Sequence, residues 1–272
     1  MAREHARQGA RYDMKEQASQ HLSESVGGIA PEEVMIAAIV PLLEGLSHVA
    51  VGAQSPIPGS AALLARKLSG NRLRVSILGS RRLSPFTDGG RELFECAGQG
   101  RIDAFFLSGG QIDGQANVNL VGIGDIADYP NVKQRFPGSF GSAYLYFVVP
   151  RVILFREEHS RRTLVEKVDF ISAPGVSPPE VYRPGGPYAL VTPRCVFRFD
   201  RDRSRFQLAS VHGGNSIVDV RDNTRFDFDT SEDISGTPML GARALALLRE
   251  EVARDIASVY PAFARRVWGE QR

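Results

Sequence analysis

The stretch from Ser108 to Gly124 reads SGGQIDGQANVNLVGIG, and further along comes Phe136-Pro137-Gly138-Ser139-Phe140-Gly141-Ser142-Ala143. Both runs combine glycine with side chains that make directional hydrogen bonds. Glycine lets the backbone take positive φ and lets another group come close to the main chain. Gln111, Asp113, Asn117 and Asn119 add amides and a carboxylate that either cross-link such a loop or read a polar ligand. The chemistry on offer is recognition of a polar group by main chain and amides.

Such a loop needs a rigid element behind it. Gly109 and Gly110 close a largely apolar run, Asp103-Ala104-Phe105-Phe106-Leu107, that reads as a buried strand. A strand tip opening into a glycine-rich loop is where open α/β sheets place ligands. Helices are expected over residues 31–44, 56–67 and 90–100, alternating with strands over 48–51, 72–78 and 103–107. That alternation predicts βαβ units and a largely parallel sheet. After Gly141 the texture changes to closely spaced apolar or alternating runs over 144–149, 152–155, 165–171, 188–191, 195–199 and 206–211. These are expected as strands that extend the first sheet or pack on it. A long helix over 239–263 carries Leu240, Ala244, Leu248, Val252, Ile256 and Val259 at helical spacing. The fold expected is α/β, an open mostly parallel sheet flanked by helices, with an added antiparallel portion.

The 272 residues, 43% hydrophobic and 24% charged, are those of an ordinary globular chain, and a net charge of +2 argues against nucleic acid or an anionic membrane as partner. No apolar run approaches the ~20 residues that span a bilayer, and no secretory signal opens the chain, so a cytoplasmic protein is expected. Cys96 and Cys195 have no spacing that suggests a disulfide framework or a zinc site, and no metal is expected. Residues 1–28 are polar without a sustained apolar stripe, and are expected to be a disordered extension or a strap onto a partner. Residues 29–272 are expected to form one domain.

The glycine-rich pieces also carry a resemblance. Gly109-Gly110-Gln111-Ile112-Asp113, Gln115-Ala116-Asn117-Val118-Asn119 and Pro137-Gly138-Ser139-Phe140-Gly141-Ser142-Ala143 resemble the GxQID, GNxN and PGSGGA pieces of the β-type half of family I CoA-transferases, in their glutaconate-like branch. Val211-His212-Gly213-Gly214-Asn215, with Val220, Asn223-Thr224 and Phe226, is similar to the family's HPGV...V...NTGF segment. Val49-Ala50-Val51-Gly52, Pro56 and Leu63 to Lys67 match its first strand, turn and helix.

The resemblance implies a CoA-transferase β-subunit-like fold, an α-type partner in an α2β2 assembly, and a coenzyme A thioester as substrate, with no permanently bound cofactor. It implies that Gly109 and Gly110 donate N–H groups to an oxyanion, that Gln111 orients the acyl group, and that Arg81 pairs with a carboxylate. Gly79, Ser80, Pro137, Gly138, Ser139 and Gly141 would line the substrate pocket. In that family a β-side glutamate attacks the thioester, giving an acyl anhydride and then a glutamyl-CoA thioester. Here the second strand ends Val75-Ser76-Ile77-Leu78-Gly79-Ser80-Arg81-Arg82, with Gly79 where the glutamate would stand. Three explanations stay open. A partner supplies the carboxylate, a carboxylate acts as base in hydrolysis or carbon–carbon cleavage, or this half is catalytically silent and completes an active partner.

Several residues have plainer readings. Arg81, Arg82 and Arg135 hold either a carboxylate or phosphate, or only solvent. Ser108 is expected as a turn residue, since no G-x-S-x-G elbow surrounds it. His212 is expected to be satisfied by nearby backbone, and Asn215 or Ser216, with Asp219 following, to cap a short helix. Neither G-x-G-x-x-G nor a P-loop lysine occurs.

Overall fold

The computed structural model describes residues 28–88 and 90–270. The N-terminal extension expected over 1–28 lies outside these residues except for Gly28. Strands β1 (His48–Val51), β2 (Arg74–Ile77) and β3 (Ala104–Leu107) are followed by the short β4 (Gln111–Ile112), β5 (Val118–Asn119), β6 (Gly122–Ile123) and β7 (Gln134–Arg135). Then come β8 (Arg151–Phe155), β9 (Pro187–Val191), β10 (Cys195–Asp200), β11 (Arg205–Val211) and β12 (Asp229–Gly236). Eight of them form one sheet in the order β12-β11-β10-β9-β8-β3-β1-β2.

The ladders joining β2, β1, β3, β8 and β9 are all parallel. The reason is written in burial: every residue of β1 and β3 is buried, as expected of strands covered by helices on both faces. The antiparallel portion is smaller than the sequence suggests. Within the large sheet only β10 is reversed, pairing antiparallel with β9 and β11, while β12 again pairs parallel with β11. Two small hairpins, β4–β5 and β6–β7, add antiparallel pairing outside it.

Helices α1 (Pro31–Ile39), α2 (Pro56–Leu68), α3 (Arg91–Gly98), α4 (Ser142–Val148) and α5 (Ile217–Asn223) punctuate the strands. The chain closes with α6 (Ala242–Leu247), a π turn at Leu248–Val252, α7 (Ala253–Ala257) and α8 (Pro261–Trp268). On one face of the sheet Ile36, Ile57, Leu64, Val252 and Ile256 pack with Val49, Val51 and Ile77. On the other, Leu93 and Tyr146 pack with Phe105, Leu107 and Phe197. The buried Glu33 carboxylate joins the first helix to the last ones, accepting from Arg249 at 2.7 Å and from Trp268 Nε1 at 3.1 Å.

Three expectations need correction. Residues 144–149 form helix α4, not a strand. Gly141 enters the left-handed region at φ 76°, Leu145 N–H closes the first turn onto Gly141 C=O, and consecutive Leu145 and Tyr146 are both buried. Strand propensity in Tyr, Phe and Val yields here to tertiary packing. Residues 165–171 form no strand; only the flanking Leu164 and Ala173 make isolated bridges, to Ile112 and Val118. The long C-terminal helix is interrupted: Tyr260, at φ −127° and ψ 65°, precedes Pro261, whose ring disfavours helical geometry in the preceding residue.

Candidate functional site

Helix α2 carries the chain from β1 to β2 on one face, and α3 carries it from β2 back to β3 on the other. β3 lies on the far side of β1 from β2. The connections leaving β1 and β3 therefore diverge, so the carboxyl ends of these two neighbouring strands form the topological switch point, where open α/β sheets place ligands. The loops that leave it are residues 52–55 after β1 and residues 108–110 after β3. Beside them Gly79, after β2, takes φ 83°, and a Cβ built on it would lie 3.9 Å from Ala53 Cβ.

Gly109 and Gly110 are required by the chain's own packing. A Cβ on Gly109 would overlap the Val118 side chain and stand 2.9 Å from Asn119 O, and one on Gly110 would overlap the Phe136 ring. The Gly110 N–H donates to Asn119 O at 2.8 Å. The Gly110 N–H, expected to face an oxyanion, is thus engaged inside the loop.

The amides behind these glycines are turned inward. Gln111 is 6% exposed, and its Oε1 accepts from Asn119 Nδ2 at 2.7 Å and from Asp169 N–H at 3.0 Å. Asp113 accepts from the Asn117 N–H at 3.0 Å and its Nδ2 at 3.1 Å, and Asn117 Oδ1 accepts from Gly175 N–H at 3.1 Å. Asn119 Oδ1 accepts from Val121 and Gly122 N–H. These side chains cross-link residues 111–122 to the segment 168–175. The buried polar groups satisfy one another, as a water-excluded loop demands.

The second glycine run is fastened to the first. Phe136 N–H donates to Val121 O at 2.8 Å and Gly138 N–H to Leu120 O at 3.0 Å. Gly138 and Gly141 take φ 99° and 76°, and Gly141 lies against the ring of Phe94 on α3. Pro137, Gly138, Ser139 and Gly141 are thus brought onto the loop that leaves β3. Ser80 is buried, its Oγ accepting from Leu83 N–H at 3.1 Å in the turn after β2. Arg81 is exposed and makes no ion pair among the described residues, whereas Arg82 pairs with Asp255 on α7. Arg135 lies over the Tyr129 ring, 5.5 Å from its centroid, within the β6–β7 hairpin.

His212 is satisfied as expected. Its Nε2 donates to Thr192 O at 2.8 Å and its Nδ1 accepts from the Thr237 hydroxyl at 2.7 Å. Burial pushes its pKa down to about 4. Ser216 caps α5 in a box with Asp219. The Cys195 thiol, buried, is pushed up to about 12 and is no nucleophile. Among the described residues no group of three His, Cys, Asp or Glu side chains is arranged to hold a metal ion, and no helix is long and apolar enough to cross a membrane.

Sequence reasoning passed over two features at this edge of the sheet. Tyr260 OH donates to Gly52 O at 3.1 Å, so the C-terminal helices brace the β1 tip. Glu157 and Glu158 lie just past β8, after Arg156. Partial burial holds the Glu157 carboxyl above its ordinary range, opposed by Arg266 at 3.8 Å and reinforced by Glu32. Glu158 is desolvated too, but bonds from Arg162 and Ser160 outweigh this and lower its pKa. Two adjacent carboxylates closing an apolar strand were the available signal.

An open, mostly parallel sheet flanked by helices, with glycine loops at its switch point, defines an α/β protein. Residues 26–223 match the Coenzyme A transferase family, and the chain belongs to it. It is 32% identical over 154 residues to one of the polypeptides of the glutaconate CoA-transferase of Acidaminococcus fermentans, covering 54% of this chain and 56% of that protein. The match thus spans little more than half of the curated relative's length. The crystal structure of glutaconate coenzyme A-transferase from Acidaminococcus fermentans superposes with a TM-score of 0.72 at 22% identity, covering 88% of this chain and 98% of that one. The decarboxylase AibA/AibB superposes with a TM-score of 0.68 at 24% identity, covering 89% and 100%. At these identities the two structures speak to the fold alone.

Proposed function

We propose that this chain is the β-type subunit of a heteromeric CoA-transferase-family enzyme acting on an acyl-CoA thioester in the cytoplasm, together with an α-type partner in an α2β2 assembly. The observation that carries the reading is the joining of the two glycine motifs beside the switch point, with Gly110 packed on Phe136 and the 136–138 backbone bonded to Leu120 and Val121. In this reading Gly109 donates its N–H to the thioester oxyanion. Gln111 positions the acyl group through its amide nitrogen, and Arg81 pairs with a substrate carboxylate. Gly79, Ser80, Pro137, Gly138, Ser139 and Gly141 line the pocket.

The catalytic carboxylate comes from elsewhere than the β2 tip. Gly79 stands there at φ 83°, a conformation that glycine adopts freely and glutamate does not. The partner then supplies the nucleophile, or a carboxylate serves as base in hydrolysis or carbon–carbon cleavage.

A second reading is favoured by the inward amides. With Gln111 Oε1 and Gly110 N–H both engaged inside the loop, this half would be catalytically silent and complete the partner's site. Thioester consumption by the complex separates the two. If the chain takes part in the reaction, Arg81→Ala and Gln111→Ala cut turnover sharply while the complex still assembles. If it only completes the fold, both variants turn over as the parent does, and the enzymatic reading is wrong.

A further inference from the structure

Phe140 departs from the rest of its loop. Its φ of 40° lies in the left-handed region, where side chains other than glycine are strained, and its side chain is 79% exposed. A large apolar residue held in a costly backbone conformation and aimed at solvent does nothing for the core. Strain of this kind clusters where a site requires it.

The ring is nonetheless held. Its centroid lies 6.2 Å from that of Phe94, which in turn meets Tyr144 edge-on at 5.9 Å. A Cβ built on Gly90, at the start of α3, would stand 3.2 Å from Phe140 Cε1. That helix begins at the carboxyl edge of the sheet, and Phe136, four residues earlier than Phe140, packs on Gly110 at the β3 tip. The ring therefore sits on the carboxyl side of the sheet, packed on one side against Phe94 and otherwise exposed. Beside it, a Cβ on Gly138 would find nothing within 4 Å. The neighbouring pocket residues Gly79, Ser80, Arg81, Gly109 and Ser139 present no comparable apolar surface.

We propose that Phe140 is a specificity-determining residue whose ring forms the apolar wall for the acyl group. The enzyme would thereby select CoA thioesters with a bulky hydrocarbon acyl portion over acetyl-sized ones. This rests on the acyl-CoA reading above. Aromatic rings so placed supply large contact area at low entropy cost, which suits them to discriminate by size.

The test is calorimetric binding of two inert thioethers, S-ethyl-CoA and S-cyclohexylmethyl-CoA, to the complex with its α-type partner. Parent, Phe140→Gly and Phe140→Leu are compared. The parent should bind the cyclohexylmethyl compound about tenfold tighter or more, Phe140→Gly should bring the ratio to within about twofold, and Phe140→Leu should fall between. Equal binding by the parent, or a ratio untouched in Phe140→Gly, overturns the proposal. So does loss of the partner on size exclusion in that variant, which would make Phe140 an interface residue. Should neither thioether bind the parent, the acyl-CoA reading itself fails. Binding of both with no size preference sinks only the role of Phe140.

Discussion

The backbone of Gly110 lies against the ring of Phe136, so close that a Cβ at position 110 would overlap ring atoms. This contact joins two motifs separated in sequence into one structural unit, the loop leaving β3 and the loop leading into α4. Gly110→Ala should therefore cost about 1–3 kcal/mol of stability through overpacking. Denaturant titration reads this, and a loss below about 0.5 kcal/mol would show that the ring yields without strain.

Asn119 holds the same unit from within, donating to Gln111 Oε1 and Gly122 O at 2.7 Å each. Asn119→Ala leaves Gln111 Oε1 with only its Asp169 bond and takes the Asn119 partner from Gly122 O and from the Val121 and Gly122 N–H groups. We expect a loss of about 1–3 kcal/mol, from buried groups left unpaired. Amide exchange should quicken over residues 111–122 and 168–175 before it does in the central strands.

How much of this was legible in sequence follows from what each residue does locally. The parallel strands could be read because β1 and β3 are apolar throughout, and burial on both faces demands that. The glycine loops could be located because close packing leaves glycine no substitute at 109 and 110. Their amides were harder: Gln111 as ligand reader and Gln111 as cross-link look alike until Asp169 and Asn119 are seen on its carbonyl. Helix α4 was hidden by its strand-like composition, since its start depends on the left-handed turn at Gly141. Glu157 belongs to no motif, and only the fold brings Arg266 and Glu32 to it.

His159 and His212 make acid stability predictable. Burial is the main cause that lowers both from 6.5 to about 4. Between those values the unfolded chain binds protons that the folded one refuses, so acid favours unfolding. The contribution is fully present above pH 6.5 and is lost as pH falls toward 4, at up to about 1.4 kcal/mol per pH unit for each histidine. His212→Asn should lower stability at neutral pH yet flatten that acid slope. An unchanged slope would mean that His212 already titrates normally when folded.

Phe140→Gly should be no less stable than the parent. The ring is 79% exposed and the left-handed φ of 40° is relieved by glycine. A buried Phe, by contrast, typically costs about 3–5 kcal/mol when truncated to Ala. A fall of more than about 1 kcal/mol would place the ring among the groups that hold the fold.

In the proposed reading this chain works on an acyl-CoA thioester with a partner while supplying no carboxylate nucleophile at the β2 tip. The direct measurement is a borohydride trap on the complex of this chain with the proposed α-type partner. The complex is incubated with a panel of acyl-CoAs and reduced, and each polypeptide is weighed by intact mass. The account predicts that thioester is consumed while the mass of this chain stays unchanged, with any carboxyl reduced to an alcohol appearing on the partner. A reduced carboxyl on this chain, or thioester left intact across the panel, would contradict it.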